Sequence, residues 1–133
     1  MRHPSPFLLF AGLLPLSLAA CATPASDGDG ARVADGSGFT LQVGEQVRLA
    51  DDSRLRYLRL VTDSRCPPDV QCVWAGDAIV ALEWSPADSA AQAFELHTGK
   101  EPRSQALGGR TLVLESLARG AQPAATLKIE PAR

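Results

Sequence analysis

Apolar residues recur at every second position through most of the chain after residue 38, and no long segment keeps the 3.6-residue period of a helix. Successive side chains of a β-strand point to opposite faces, so this spacing is typical of strands with one buried face. Glycine, proline and aspartate turns separate the segments. The pattern predicts an all-β domain, a small antiparallel β-sandwich or barrel of about seven strands.

Seven segments carry this pattern and are the predicted strands: 39–43, 47–49, 54–62, 78–85, and short segments around Phe94 and Leu96, Leu112 and Leu114, and Leu127 and Ile129. A Gly-Glu turn between the first two predicts a β-hairpin, and residues 51–53 predict the next turn. Strict alternation within 54–62 would place Leu58 and Leu60 on the face opposite Tyr57. Residues 87–94 offer at most one helical turn.

The first twenty-one residues combine a positive charge, an apolar run and a cysteine. Arg2 precedes a run from Phe7 to Ala20 that is too short to cross a bilayer as a mature helix. The run ends in Leu-Ala-Ala followed by Cys21, which resembles the lipobox of bacterial lipoprotein precursors. The resemblance implies that residues 1–20 are a signal peptide and that Cys21 receives acyl chains such as palmitate. The alternative is secretory cleavage that leaves Cys21 as a free thiol.

Acylation implies a stable anchor in a membrane of the cell envelope, because two or more acyl chains hold a protein there. By the same resemblance, Ala22 favours the periplasmic face of the outer membrane if the cell is Gram-negative. Residues 21–38 are small, polar and glycine-rich after the cysteine, and are predicted to be a flexible tether. The Asp-Gly-Asp-Gly stretch from Asp27 resembles a calcium loop, but its twelfth position is Gly38 rather than glutamate.

The remaining residues, 39–133, are enough for one small β-domain with a single core. The chain has 13 Lys plus Arg and 15 Asp plus Glu, and cleavage would remove Arg2 and leave 12 basic residues. Both signs are interspersed along the sequence. This predicts no basic stripe for a nucleic acid or an acidic membrane, so the membrane partner is reached through the lipid and no nucleic acid is expected.

Cys66 and Cys72 are separated by five residues, two of which are prolines. A dithiol catalyst favours two intervening residues at the start of a helix. A zinc site would need two more ligands, but beyond the signal segment the only histidine is His97. No metal or cofactor is therefore expected. With Cys21 acylated in an exported chain, Cys66 and Cys72 are predicted to form a disulfide.

The surrounding residues 63–76 read DSRCPPDVQCVWAG. They resemble a motif, D-S-R-C-P-x4-C-x-W-A-G, of small exported bacterial proteins of unknown function. The resemblance implies a defined module and no particular activity. Two interpretations stay open: a braced strand connection in which Arg65 pairs with an acid, or a preformed recognition loop. Trp74 is predicted to cover the disulfide. The candidate recognition residues are Arg65, Asp69, Val70, Gln71 and Trp74.

Catalysis has little support in the sequence. His97 stands alone at a strand end, Asp51 and Asp52 suit a turn, and neither G-x-S-x-G nor S-x-x-K occurs. No catalytic residue is predicted. The leading hypothesis is a lipid-anchored, non-catalytic β-module that binds a protein, peptide or glycan through residues 63–76. The alternatives are a purely structural envelope lipoprotein, an inhibitor of a hydrolase, or an enzyme that acts through carboxylates.

Overall fold

The computed structural model describes residues 30–132, which form nine strands and no helix. The strands are β1 (Arg32–Val33), β2 (Gly38–Leu41), β3 (Gln46–Leu49), β4 (Arg54–Asp63), β5 (Ala78–Ser85), β6 (Gln92–His97), β7 (Ser104–Leu107), β8 (Arg110–Leu117) and β9 (Ala125–Glu130). The all-β prediction is confirmed, with two more strands than expected. None of these residues belongs to a helix long and apolar enough to cross a membrane.

The strands form two sheets that enclose one core. The five-stranded sheet has the order β1-β3-β4-β5-β6, and the four-stranded sheet has the order β2-β9-β8-β7. All pairs are antiparallel except β1 with β3. Alternate residues of β5 and β9 supply much of the core, because each of these strands has neighbours on both sides: Ala78, Val80, Leu82, Trp84, Ala125, Leu127 and Ile129. The prediction of a small β-sandwich or barrel is confirmed in its general form, as two sheets around one core.

The hairpin predicted between the segments 39–43 and 47–49 does not form. β2 pairs with β9, whereas β3 pairs with β1 and β4, so the two strands lie in different sheets. The glycine turn exists, with Gly44 at φ 88°, but it carries the chain from one sheet to the other. Alternation identifies a strand and says nothing about its partner. The next turn is confirmed, since Asp52 has φ 65° and Asp51 Oδ1 accepts a 3.1 Å hydrogen bond from Ser53 N.

β4 contains a bulge that breaks its alternation. Tyr57 and Arg59 pair with consecutive residues of β5, so Leu58 between them is an extra residue without a register partner. Tyr57 is fully buried and Leu60 packs against the same core. The prediction that Leu60 lies on the face opposite Tyr57 is therefore wrong, because the bulge returns both side chains to one face.

The folded domain begins earlier than the predicted boundary at residue 39. β1 pairs with β3, with Val33 opposite Leu49, and Val33 is buried in the core. Residues 32–38 therefore belong to the domain and not to a tether. Because all nine strands and the core lie within residues 30–132, a chain that starts at Ala22 contains the whole described fold. The predicted signal peptide, Cys21 and the first part of the tether lie outside the described residues.

The arginines are less dispersed in space than they are along the chain. β4 directs Arg54 and Arg56 outward, and the bulge at Leu58 returns Arg59 to the same outer face. Arg48 lies directly opposite Arg54 on β3. Arginines that are interspersed with acids along the sequence therefore come together on the outer face of the five-stranded sheet.

Candidate functional site

The connection between β4 and β5, residues 64–77, is held closed by the disulfide and by backbone hydrogen bonds; we call it the braced loop. The predicted disulfide is confirmed, with the Cα atoms of Cys66 and Cys72 5.9 Å apart. Ser64 N donates to the carbonyl oxygen of Asp77 at 2.8 Å, and Cys66 N donates to that of Ala75 at 3.1 Å. The pairing of the two strands thus continues into the loop, and these residues form its base.

Arg65 ties the base of the loop to the opposite sheet. Its Nε donates a hydrogen bond to Oδ1 of Asp63 at 2.8 Å, and its Nη2 donates one to Oδ2 of the same carboxylate. Nη1 donates to the carbonyl oxygen of Leu117 at 2.7 Å, and Nη2 donates to that of Ala118 at 2.8 Å. The guanidinium has five N–H donors, four of which are used here, and the side chain is only 13% exposed.

This arrangement decides between the two interpretations of Arg65. Asp63 ends β4 of one sheet, and Leu117 ends β8 of the other, so a single side chain joins the two sheets at the loop. The hydrogen bonds from Arg65 hold the pKa of Asp63 below its ordinary value, because they favour the ionised carboxylate. Arg65 pairs with an acid, as the structural interpretation predicted, and is not presented to a partner as the recognition hypothesis supposed.

Gly76 lets the two ends of the loop approach each other. It adopts φ 71°, and a Cβ built on it would lie 2.6 Å from the carbonyl carbon of Ser64. Any other residue would overlap backbone, which cannot rotate out of the way as a side chain can. The glycine of the Trp-Ala-Gly sequence therefore serves the base of the loop, a role that its place in the motif did not reveal.

Asp77 fastens the base to the neighbouring strand β6. Its Oδ2 lies 2.6 Å from Nδ1 of His97, and its Oδ1 accepts from the backbone N–H groups of Thr98 at 3.1 Å and Gly99 at 2.7 Å. Burial alone would raise the pKa of Asp77, but the hydrogen bonds from His97 and Gly99 lower it below its ordinary value. His97, considered only as a lone histidine in the sequence, is thus part of the loop's support.

The tip of the braced loop, which we define as residues 67–74, exposes three large apolar side chains. Val73 is 92% exposed, Trp74 82% and Val70 55%. Asp69 and Gln71 are exposed as well. Four of the five candidate recognition residues therefore lie on the tip, whereas Arg65 lies in the base.

Two expectations about the tip need correction. With 82% of its surface exposed, Trp74 does not cover the disulfide as predicted. Val73 was not among the candidates, although it is the most exposed large apolar residue on the tip. The sequence did contain a signal for Val73, namely an apolar side chain in a turn-rich segment that belongs to no predicted strand.

The acidic pair considered as an enzyme site is engaged elsewhere. Asp51 Oδ2 forms an ion pair with Arg110 at 2.7 Å, and Asp52 Oδ1 forms one with Arg32. Burial acts to raise the pKa of Asp51, but its bonds to Ser53 and the charge of Arg110 lower it below its ordinary value. Within residues 30–132, no group of three or more His, Cys, Asp or Glu side chains is placed to hold a metal ion.

The braced loop thus combines a bonded base with an exposed apolar tip, and this contrast is the main geometric indication of a site. Comparison of the chain with protein-family models, with curated proteins and with solved structures finds no match.

Proposed function

We propose that this protein is a lipid-anchored, non-catalytic binding module of the cell envelope, and that it recognises a protein or peptide partner through the tip of the braced loop. The observation that carries the proposal is the exposure of Val73 and Trp74 on a loop whose base is fixed. Large apolar side chains that remain in water on an otherwise well-packed domain commonly mark an interaction surface.

Bracing favours binding because it reduces the entropy lost when a partner is engaged. The disulfide joins Cys66 and Cys72, and the bonds of Arg65 and Asp77 fix both ends of the loop. The tip can therefore enter a partner without first becoming ordered. Tryptophan is enriched among residues that dominate binding energy, so Trp74 is the expected anchor and a cleft lined by apolar side chains is the expected receptor.

The location of the module is a separate part of the proposal. It rests on the resemblance of the Leu-Ala-Ala-Cys segment to a lipobox, which makes Cys21 the acylated residue. Metabolic labelling with a fatty-acid analogue tests it directly. The wild-type chain should carry label and the Cys21→Ser chain should not; label retained in the variant would contradict the anchor and leave the loop proposal untouched.

The recognition proposal is tested by site-specific photo-crosslinking in intact envelopes. A photoreactive residue replaces Gln71 at the tip, and the same residue replaces Asp88 in the connection between β5 and β6 as a control; both positions are exposed. A discrete adduct should form from position 71, should be absent from position 88, and should disappear when Val73 and Trp74 are both changed to Ser. The partner, once identified and purified, should bind the wild-type domain at least tenfold more tightly than this double variant.

The remaining alternatives are outcomes of the same experiment. If position 71 gives no adduct beyond that of position 88, the loop is a braced connection and the protein is a structural component of the envelope. If the crosslinked partner is a hydrolase whose activity falls on binding, the module is its inhibitor. A glycan partner would give an adduct that loses mass after glycosidase treatment.

A further inference from the structure

Three strands of the five-stranded sheet bring arginines into one row. Arg32 on β1 lies directly opposite Arg48 on β3, and Arg48 lies directly opposite Arg54 on β4. Neighbouring strands are about 4.8 Å apart, and like charges placed opposite one another destabilise a sheet. The row therefore concentrates positive charge that neighbouring acids have to offset.

The row continues along β4. We call the resulting surface the basic face, and its arginines are Arg32, Arg48, Arg54, Arg56 and Arg59. The side chains of Arg54, Arg56 and Arg59 form no ion pair or hydrogen bond with any other described residue. The carboxylates nearest in the sheet are Glu83, opposite Arg56, and Glu95, opposite Ala81.

Asp52 is the other acid at this surface, and it is shared. Its Oδ1 pairs with Arg32 and lies 3.8 Å from Nη1 of Arg48. Among the described residues, this face thus holds more arginines than carboxylates, although the whole chain carries a formal charge of −2. The excess of positive charge is local, and three of its guanidinium groups are free to bind an anion.

A shallow pocket of about 310 Å³ lies at the start of β4, where the row crosses the sheet. Arg48, Arg54 and Ser85 line it together with Asp52. Guanidinium groups bind phosphate oxygens through paired N–H donors, and the Ser85 hydroxyl is a further donor. A phosphate group carried on a larger surface fits this combination of charge and shape.

We propose that the basic face docks on a membrane surface rich in anionic phospholipid. The complementarity is electrostatic and comes from the fold. A second support is the point at which the chain enters the domain: Arg48 N donates to the carbonyl oxygen of Ala31, and a Cβ on Gly30 would collide with the backbone of Gln46. Gly30, the first described residue, therefore lies at the edge of the basic face.

The covalent chain sets how far this edge can be from the anchor. Nine peptide units join Cys21 to Gly30, and a chain of that length spans no more than about 30 Å. This step rests on the proposed acylation of Cys21, whereas the charge complementarity does not. The braced loop lies at the other end of the ten-residue strand β4, about 30 Å from Arg54. Arg59, the arginine of the basic face nearest to the loop, lies four residues before the end of β4, about 13 Å away, so docking of the face leaves the tip of the loop accessible.

The test uses the non-lipidated chain from Ala22, which contains the whole described fold, and sedimentation with lipid vesicles. One set of vesicles is phosphatidylcholine alone, and the other contains roughly a third phosphatidylglycerol, which gives a negative surface potential. The test variant changes Arg54, Arg56 and Arg59 to Ser. The matched control changes Lys100, Arg103 and Arg119 to Ser, which removes the same charge from exposed positions outside the basic face.

Wild type and control should bind the vesicles that contain phosphatidylglycerol and should not bind those of phosphatidylcholine. This binding should vanish near 1 M salt, because the Debye length falls to about 3 Å and the charges are screened. The test variant should bind roughly 100-fold more weakly, since each basic residue near an anionic surface contributes about fivefold. Equal weakening in test and control would reduce the effect to net charge and overturn the proposal. Binding to soluble polyphosphate with none to vesicles would also overturn it. Acyl labelling of Cys21 is measured separately, so failure of the anchor and failure of the face are distinguishable.

Discussion

The base and the tip of the braced loop are built from adjacent residues, but the base is held by hydrogen bonds and close contacts whereas the tip is exposed to solvent. At the base, Arg65 uses four donors, and Gly76 allows a backbone contact that no other residue permits. At the tip, Val73 and Trp74 lie almost entirely in water. A base of this kind contributes stability, whereas an exposed apolar tip contributes none and risks aggregation.

This contrast assigns the residues of the base to stability and those of the tip to binding. A change in the base should alter the free energy of unfolding, and a change in the tip should alter only binding. Urea unfolding of the chain from Ala22 separates the two, because the whole described fold lies within it.

Among changes in the braced loop, the largest effect is expected for Gly76→Ala. The substitution combines a positive φ that costs a non-glycine residue about 1 to 3 kcal/mol with an overlap against the backbone of Ser64. The free energy of unfolding should fall by about 3 kcal/mol or more. Gly36→Ala is the matched control, since Gly36 has φ 82° and open space around its Cβ position; it isolates the dihedral cost. Equal losses for both would mean that the close approach at the base is unimportant.

Removal of the disulfide is expected to come next. Cys66 and Cys72 close a seven-residue loop, so replacing both by Ser should lower the free energy of unfolding by about 2 kcal/mol, mainly through the denatured state. A reductant should destabilise the wild-type chain by the same amount and leave the double variant unchanged. A reductant effect on the double variant would show that the loss has another origin.

Arg65→Lys should have a smaller but clear effect. Lysine keeps the charge near Asp63 but cannot reach the carbonyl oxygens of Leu117 and Ala118 at the same time. A loss of about 1.5 kcal/mol is expected, because two carbonyls lose a charged donor. Arg59→Lys serves as the control, since Arg59 is exposed and forms no ion pair within the described residues. If the two variants unfold alike, Arg65 does not join the sheets in solution.

The tip should give the smallest effect on stability. Val70→Ser, Val73→Ser and Trp74→Ser should each change the free energy of unfolding by less than about 0.5 kcal/mol, as exposed sites do. Leu96→Ala in the fully buried part of β6 should cost about 2 to 5 kcal/mol in the same assay. A large loss at Trp74 would place its side chain in a packed environment and remove the case for a recognition tip.

The sequence predicted those features that depend on neighbours along the chain. Alternation gave the all-β class, and the count of cysteines gave the disulfide between Cys66 and Cys72. Pairing could not be predicted, because β2 finds its partner in β9 at the far end of the chain. The bulge at Leu58 was hidden because an extra residue leaves no mark in a run of leucines and arginines. β1 has only two residues, too few for alternation to appear.

The same limit applied at the candidate site. Asp69, Val70, Gln71 and Trp74 could be named from the sequence because they lie close together in one cysteine-containing segment, whereas Val73 was missed. The partners of Arg65 could not, since two of them are backbone carbonyls more than fifty residues away, and a carbonyl belongs to every residue type. For the same reason, the clustering of arginines depended on strand registers that only the folded chain defines.

The contacts by which Arg65 joins the two sheets also bear on how long the protein resists proteases. An exposed loop tip is usually the first place a protease cuts, because a few residues can open locally and enter its active site. Here, opening residues 64–77 would require breaking the contacts that join the two sheets. Cleavage should then wait for opening of the sandwich as a whole, so its rate would follow global unfolding. The tip would therefore stay uncleaved for as long as the domain stays folded.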